Sequence, residues 1–213
     1  MRIAKEGWPF IFTPALWAVV AAIFGWTWSA AAFGLITIAI AAFFRDPDRS
    51  SPVGEGLILS PADGRVMEIV QVEGAGGTPT RLSIFMSPLD VHVNRSPIGG
   101  RVEDVQYTKG KFLAAYKERS SGNNEHNALT IADPQGRRLK VVQIAGVAAR
   151  RIVCRVKKED VLEAGQRFGI IMFGSRVDLF LPVGSRLEIS ERQRVRGGET
   201  ILARFDPSIN SGP

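Results

Sequence analysis

Residues 7–44 carry no charged side chain, and 29 of those 38 residues are apolar. Such a run cannot coat a water-soluble globule. It must be buried in protein or enter a lipid phase. Two apolar stretches, 10–24 and 30–44, flank the segment Gly25-Trp26-Thr27-Trp28-Ser29. Its Gly, Thr and Ser favour a turn, and its Trp pair suits the level of lipid headgroups. Each stretch predicts a helix of about 23–26 Å, short of the ~30 Å hydrocarbon core of a bilayer. The expectation is a tight helical hairpin that either spans thinly or dips into the membrane. Arg2 and Lys5 precede it, and Arg45 and Arg49 follow it. A hairpin returns both ends to one side, and the positive-inside rule makes that side cytoplasmic. Two other readings remain. A cleaved signal peptide would show one apolar core and a small-residue cleavage site. A hairpin inside a soluble core would need a matching apolar surface, which the remaining chain, about 38% apolar, does not obviously supply.

All 48 charged residues lie outside this run and leave a net charge of +6. The expected division is therefore a membrane-associating hairpin over residues 1–48 and a charged body over 49–213. One Cys excludes an internal disulfide framework. Two His leave little for a His-rich zinc centre. In the body, short stretches rich in Val, Ile, Leu and Phe alternate with Gly, Pro and Asp. They are 65–72, 81–86, 100–107, 128–132, 139–144, 151–156, 169–173, 177–181 and 186–189. This spacing predicts a mainly β fold, a sandwich or barrel of short strands. Residues 195–202 give a last turn and strand. One helical turn or two is expected over 112–118, with loops over 74–79 and 120–124. Residues 137–158 hold eight basic side chains and no acid. They read as solvated strand faces, or as a surface drawn to anionic lipid. Interleaved aromatics and a recognisable nucleic-acid module are lacking, so no nucleic-acid partner is expected.

Three polar residues stand out. Asp63 lies in Ser60-Pro61-Ala62-Asp63-Gly64, ordinary turn chemistry in which a carboxylate caps its own backbone. His92 sits at an alternating, strand-like position, where a lone His is more often structural than catalytic. Ser175 follows Gly174 in a strand pattern, where a Gly marks a bulge or a close backbone approach. Together they make an Asp–His–Ser set, the parts of a nucleophile, a base and an orienting carboxylate. A membrane-bound serine hydrolase using Asp63, His92 and Ser175 is one function such a set can serve, although no Gly-x-Ser-x-Gly elbow is present. A lipoyl-like carrier or lipid-binding β module is another class, but it lacks a hairpin-tip Met-Lys-Met.

The wider wording of these segments is more specific. Phe43-Phe44-Arg45-Asp46-Pro47-Asp48-Arg49, Ser60-Pro61-Ala62-Asp63-Gly64-Arg65-Val66, Met86-Ser87-Pro88-Leu89-Asp90-Val91-His92-Val93-Asn94-Arg95, Ile144-Ala145-Gly146, Ala149-Arg150-Arg151-Ile152 and Phe173-Gly174-Ser175-Arg176-Val177-Asp178 follow one another in that order. Over residues 43–205 the chain resembles the phosphatidylserine decarboxylases of the compact bacterial and archaeal type, which the N-terminal hairpin also suits. The resemblance implies a proenzyme that cuts itself between Gly174 and Ser175. It implies a β chain of 174 residues and an α chain of 39 that stay together as a heterodimer. It makes Ser175 the nucleophile that becomes a pyruvoyl group, His92 the base and Asp63 the residue that orients the His. The pyruvoyl, with no metal or diffusible cofactor, then serves the decarboxylation of membrane phosphatidylserine to phosphatidylethanolamine and CO2. The implied location is the cell membrane, with the body on its cytoplasmic face. The two chains are expected to stay joined because the strands flanking the cut lie in one sheet. Two departures are visible. The commoner form has Leu-Gly-Ser-Thr at the cut, where this chain has Phe-Gly-Ser-Arg. The commoner form also carries two His, at positions matching His92 and Arg95, so one His here does the work of two or is helped by another group. The stretch Asn123-Asn124-Glu125-His126-Asn127 resembles a family segment that lines the site.

Overall fold

The computed structural model describes residues 2–72, 78–110, 124–146, 151–172 and 175–206. The chain divides into two compact units, 1–48 and 49–213.

In the first unit a short antiparallel pair, β1 (Arg2–Ile3) with β2 (Arg45–Asp46), ties together the ends of a helical hairpin. A 3-10 turn over Lys5–Gly7 leads into α1 (Trp8–Ile23), and α2 (Thr27–Phe43) runs back. The reversal passes through Gly25 at φ +72°, a left-handed conformation open to glycine without steric cost. Trp17 and Phe33 stack across the two helices with centroids 6.4 Å apart. The Arg45 guanidinium donates to the Ala42 carbonyl and caps the last turn of α2. Leu16, Ile23, Trp28 and Leu35 are all largely exposed. Lys5–Ile23, 19 residues, is long and apolar enough to cross a membrane, while α2 is a shorter apolar helix of 17 residues. This apolar segment favours association with a membrane.

The second unit is antiparallel throughout. Its main sheet runs β11 (Val161–Leu162), β7 (Gly100–Thr108), β8 (His126–Ala132), β9 (Arg138–Ala145), β13 (Ser175–Leu181), β5 (Thr80–Met86), β4 (Gly64–Gln71), β15 (Arg194–Val195). Two three-stranded sheets complete it. One is β10 (Arg151–Cys154), β12 (Arg167–Met172), β6 (Val93–Arg95). The other is β14 (Arg186–Leu187), β16 (Ile201–Arg204), β3 (Leu57–Leu59). Each of the nine strands expected from sequence coincides with one of these. The expected helical turn over 112–118 lies outside the described residues, as do most of 74–79 and 120–124.

Alternation along the strands sends one set of side chains into a single core. Leu82 and Ile84 of β5, Leu129 and Ile131 of β8, Leu139 and Val141 of β9, and Val177, Leu179 and Leu181 of β13 all enter it. Burying each such side chain contributes roughly 1.5–3 kcal/mol. The opposite face carries a smaller apolar group of Ala128, Val142, Ile144 and Phe180.

Strands β12 and β13 belong to different sheets. The expectation that one sheet holds both sides of the Gly174–Ser175 bond is therefore corrected. Met172 pairs with Arg151 in a small sheet, whereas Ser175 pairs with Met86 on one side and Ala145 on the other in the large sheet. The chain changes sheets across just two residues.

Candidate active site

The inward row of each central strand is apolar along most of its length. On β8 the row ends at Asn127, on β9 it reaches Gln143 before Ala145, on β13 it begins at Ser175, and on β5 it ends at Met86. These positions adjoin by register: Asn127 faces Gln143, and Ser175 faces both Met86 and Ala145. One end of the core is thus polar, and it lies where the chain changes sheets.

The side chains there form a directed chain of hydrogen bonds. Asn127 Nδ2 donates to Gln143 Oε1 at 3.0 Å, and Gln143 Nε2 donates to Asn94 Oδ1 at 2.8 Å. Asn94 Nδ2 points to Met86 Sδ at 3.8 Å, and Ser175 Oγ donates to the same sulfur at 3.3 Å. Asn94, Gln143 and Ser175 are wholly buried. A Cβ on Gly169 of β12 would come within 2.9 Å of Gln143 Nε2 and 2.5 Å of the Val153 carbonyl. The absent side chain makes room for the Gln143–Asn94 contact. The Ala145 backbone, beside Ser175, is fixed from the far side. Its N–H goes to the Glu125 carbonyl and its carbonyl accepts from Asn124 Nδ2.

His92, also wholly buried, precedes β6 by one residue. Its Nδ1 lies 2.9 Å from the Asp90 carbonyl. A carbonyl only accepts, so Nδ1 carries a proton, and in the neutral ring Nε2 is the nitrogen left to accept one. The His92 carbonyl in turn accepts from the Ile171 N–H, which sets His92 beside the end of β12.

Asp63 is engaged elsewhere. Its two oxygens accept from both terminal nitrogens of Arg49, and Oδ1 also accepts from the Gly197 N–H at 2.8 Å. Arg49 further donates to the Gly197 carbonyl at 2.6 Å. The carboxylate therefore neither caps its own turn nor bonds to His92. The turn itself depends on Gly64, whose φ of +152° and close approach to the Phe85 carbonyl admit no side chain. Arg176 points away from Ser175, as strand alternation requires. It is buried and donates to Asp178 at 2.7 Å. Gly174 and Asn123 lie outside the described residues. Beside Asn124, burial and the carboxylate of Glu125, to which its hydroxyl bonds, push the Tyr107 phenol up to about 12.

The basic stretch 137–158 is spread over several partners. Arg137 pairs with Asp133 and stacks on Phe205, and Arg138 pairs with Glu103. Arg151, Lys157 and Lys158 are exposed.

Sequence reasoning did not assign roles to Met86, Asn94 or Gln143. A usable signal was present: Leu-x-Val-x-Gln and Leu-x-Ile-x-Met are inward rows that lose their hydrocarbon character at one end.

A family model for phosphatidylserine decarboxylase matches residues 36–203. The chain belongs to the phosphatidylserine decarboxylase family. The matched span takes in all six ordered segments quoted above. Two relatives are named phosphatidylserine decarboxylase proenzyme. The one from Ralstonia pickettii (strain 12J) is 43% identical over 209 residues, 96% of each chain. The one from Nitrobacter winogradskyi is 45% identical over 211 residues, 95% of this chain and 84% of its own. The chain is accordingly an enzyme, and by family a decarboxylase of phospholipid metabolism.

Proposed function

We propose that this chain decarboxylates phosphatidylserine to phosphatidylethanolamine with a pyruvoyl group made from Ser175, after the precursor cuts itself at Gly174–Ser175. The observation that carries the reading is the setting of Ser175. It is wholly buried, its backbone is paired on both sides, and its hydroxyl faces a thioether in an otherwise amide-lined corner. A hydrolase serving outside esters needs an open serine. A serine that attacks its own chain does not. The proenzyme names of the relatives agree with a processed chain.

In this reading the Ser175 hydroxyl adds to the Gly174 carbonyl carbon. Its proton passes to His92 Nε2 and on to the departing Ser175 nitrogen. The amide C–N bond breaks and an ester forms. Loss of the Ser175 α-proton then expels Gly174 as a carboxylate. The dehydroalanine left behind takes up water, releases ammonia and becomes pyruvoyl. The Asp90 carbonyl orients the imidazole, while Asp63 holds the 196–198 loop to Arg49. Position 175 would suit such a group: Asn94 Nδ2 and Ser175 Oγ contact the same Met86 sulfur, which keeps an amide donor nearby, and pairing with Met86 and Ala145 fixes the strand. When present, the pyruvoyl supplies an electron-accepting carbonyl for the breaking C–C bond.

Cleavage leaves an α chain whose β13 lies between β5 and β9, with β15 on β4 and β16 on β3. This sheet pairing, together with the Asp63–Gly197 bond, holds the two chains in one heterodimer. The hairpin anchors the body to the membrane holding the substrate. The basic residues Arg2, Lys5, Arg45 and Arg49 flank the hairpin and, by the positive-inside rule, favour a body on the cytoplasmic side.

Denaturing gels and mass spectrometry test the proposal. The purified protein is expected as pieces of roughly 19 and 4 kDa, the smaller without a free amino terminus. Ser175→Ala is expected as one uncut chain. An intact wild-type chain that decarboxylates phosphatidylserine would overturn the reading.

A further inference from the structure

We infer that Asn94 donates the hydrogen bond that stabilises the oxyanion formed when Ser175 attacks the Gly174 carbonyl; this rests on the self-processing reading above. Three observations converge. The first is direction. Asn127 donates to Gln143, and Gln143 and Asn94 each accept through the oxygen and donate onward through the nitrogen. Turning Asn94 over would set its nitrogen against the Gln143 nitrogen and its oxygen against a sulfur lone pair. The chain therefore fixes an N–H at its end. Amides linked in series polarise one another, so the last N–H is the most electropositive.

The second is the acceptor. Both Asn94 Nδ2 and Ser175 Oγ point to Met86 Sδ, which puts them within about 7 Å of each other. A thioether is a weak acceptor. Buried donors normally find better ones, and exceptions call for an explanation. An oxygen that gains negative charge during reaction supplies one. The third is burial. Asn94, Gln143 and Ser175 are all inaccessible to water. A fixed dipole in such a place stabilises developing charge far better than it would in water, and needs no reorganisation when the charge forms.

Asn94 also lies two residues beyond His92. One short segment thus brings the base and the oxyanion donor together.

The test follows self-cleavage of the full-length chain by gel and intact mass after synthesis in a cell-free system. Asn94→Leu is expected to slow cleavage by about 100-fold or more, with circular dichroism unchanged. Asn94→Asp keeps the shape. Its ionised carboxylate has no donor, but its protonated form regains an O–H. Its rate relative to wild type at the same pH should therefore rise as pH falls, while the Asn94→Leu ratio stays flat. Should Asn94→Leu misfold, the pH profile of Asn94→Asp decides alone. Cleavage of folded Asn94→Leu within threefold of wild type would overturn the inference. So would an Asn94→Asp ratio that ignores pH. A wild-type chain that never cuts at Ser175 would instead bring down the self-processing reading, so the two failures are distinguishable.

Discussion

Two buried polar clusters in the body are built in opposite ways. At Asp63 every carboxylate oxygen has strong donors. Arg49 meets it with a two-pronged ion pair, and the Gly197 N–H adds a third contact. At Ser175 the polar groups end on a sulfur. The first arrangement is poorly suited to react, because both oxygens are already engaged and any movement would strand a charge. The second leaves a nucleophile and an amide poorly matched in the resting state. A protein can hold such groups only where the surrounding strands fix them, and Ser175 is paired on both sides. Satisfaction marks the structural cluster, and its lack marks the reactive one.

The largest expected effect breaks the first cluster. The Arg49 and Asp63 side chains are only 7% and 13% exposed. Arg49→Met, which leaves Asp63 without its cation, is expected to cost about 3–5 kcal/mol in stability. Because the two act as one unit, Arg49→Met with Asp63→Leu should cost less than the two single changes summed. Thermal or urea unfolding of the uncut Ser175→Ala chain gives these values without interference from cleavage. If Asp63→Asn instead kept its stability and lost only self-cleavage, Asp63 would belong to the reactive cluster and the comparison would fail.

A smaller effect is expected at Gly169. A methyl there meets the Val153 carbonyl and Gln143 Nε2. Gly169→Ala should cost about 1–3 kcal/mol through overpacking. It should also slow self-cleavage, because displacing Gln143 releases the orientation of Asn94. Gly165→Ala is a useful contrast. It too is strained, at φ +78° with a close approach to Ser51. It bears on the Arg95 contact through the Gly165 carbonyl, not on the amide chain, so its cleavage rate should follow its stability alone.

The hairpin could be read from sequence because absence of charge is a local property, and α1 and α2 occupy nearly the expected stretches. The longer strands were legible for the same reason: alternation needs only neighbours in sequence. Short β6 was not, because Val93, Asn94 and Arg95 are all buried and show no alternation. Ser175 and His92 were singled out by motif. Their surroundings were not, since they are made by register between strands far apart in the chain. Gln143 lies 49 residues from Asn94, and Met86 lies 89 from Ser175. The same limit explains Asp63. A Pro-x-Asp-Gly turn predicts a local cap, whereas its decisive partners stand 14 and 134 residues away. No local pattern foretells an ion pair that closes the fold.

The smallest expected effect concerns a pair between these extremes. Tyr107 is half exposed, yet burial of the rest of the ring and the Glu125 carboxylate push its phenol up to about 12. The neutral phenol donates to Glu125, and ionising it would set two negative charges side by side. A raised folded-state value means that this contribution to stability is fully present below about pH 10, the ordinary phenol range. It is lost as pH rises from there through about 12. The chain has two Tyr, so ultraviolet titration of Tyr116→Phe isolates Tyr107. Glu125→Gln should lower its pKa while leaving it above the ordinary range, because burial is the larger cause. Titration near 10 in both proteins would mean that Glu125 does not hold the hydroxyl. The Glu125 carbonyl still fixes Ala145 beside Ser175 through the backbone, so Glu125→Gln should leave self-cleavage close to wild type.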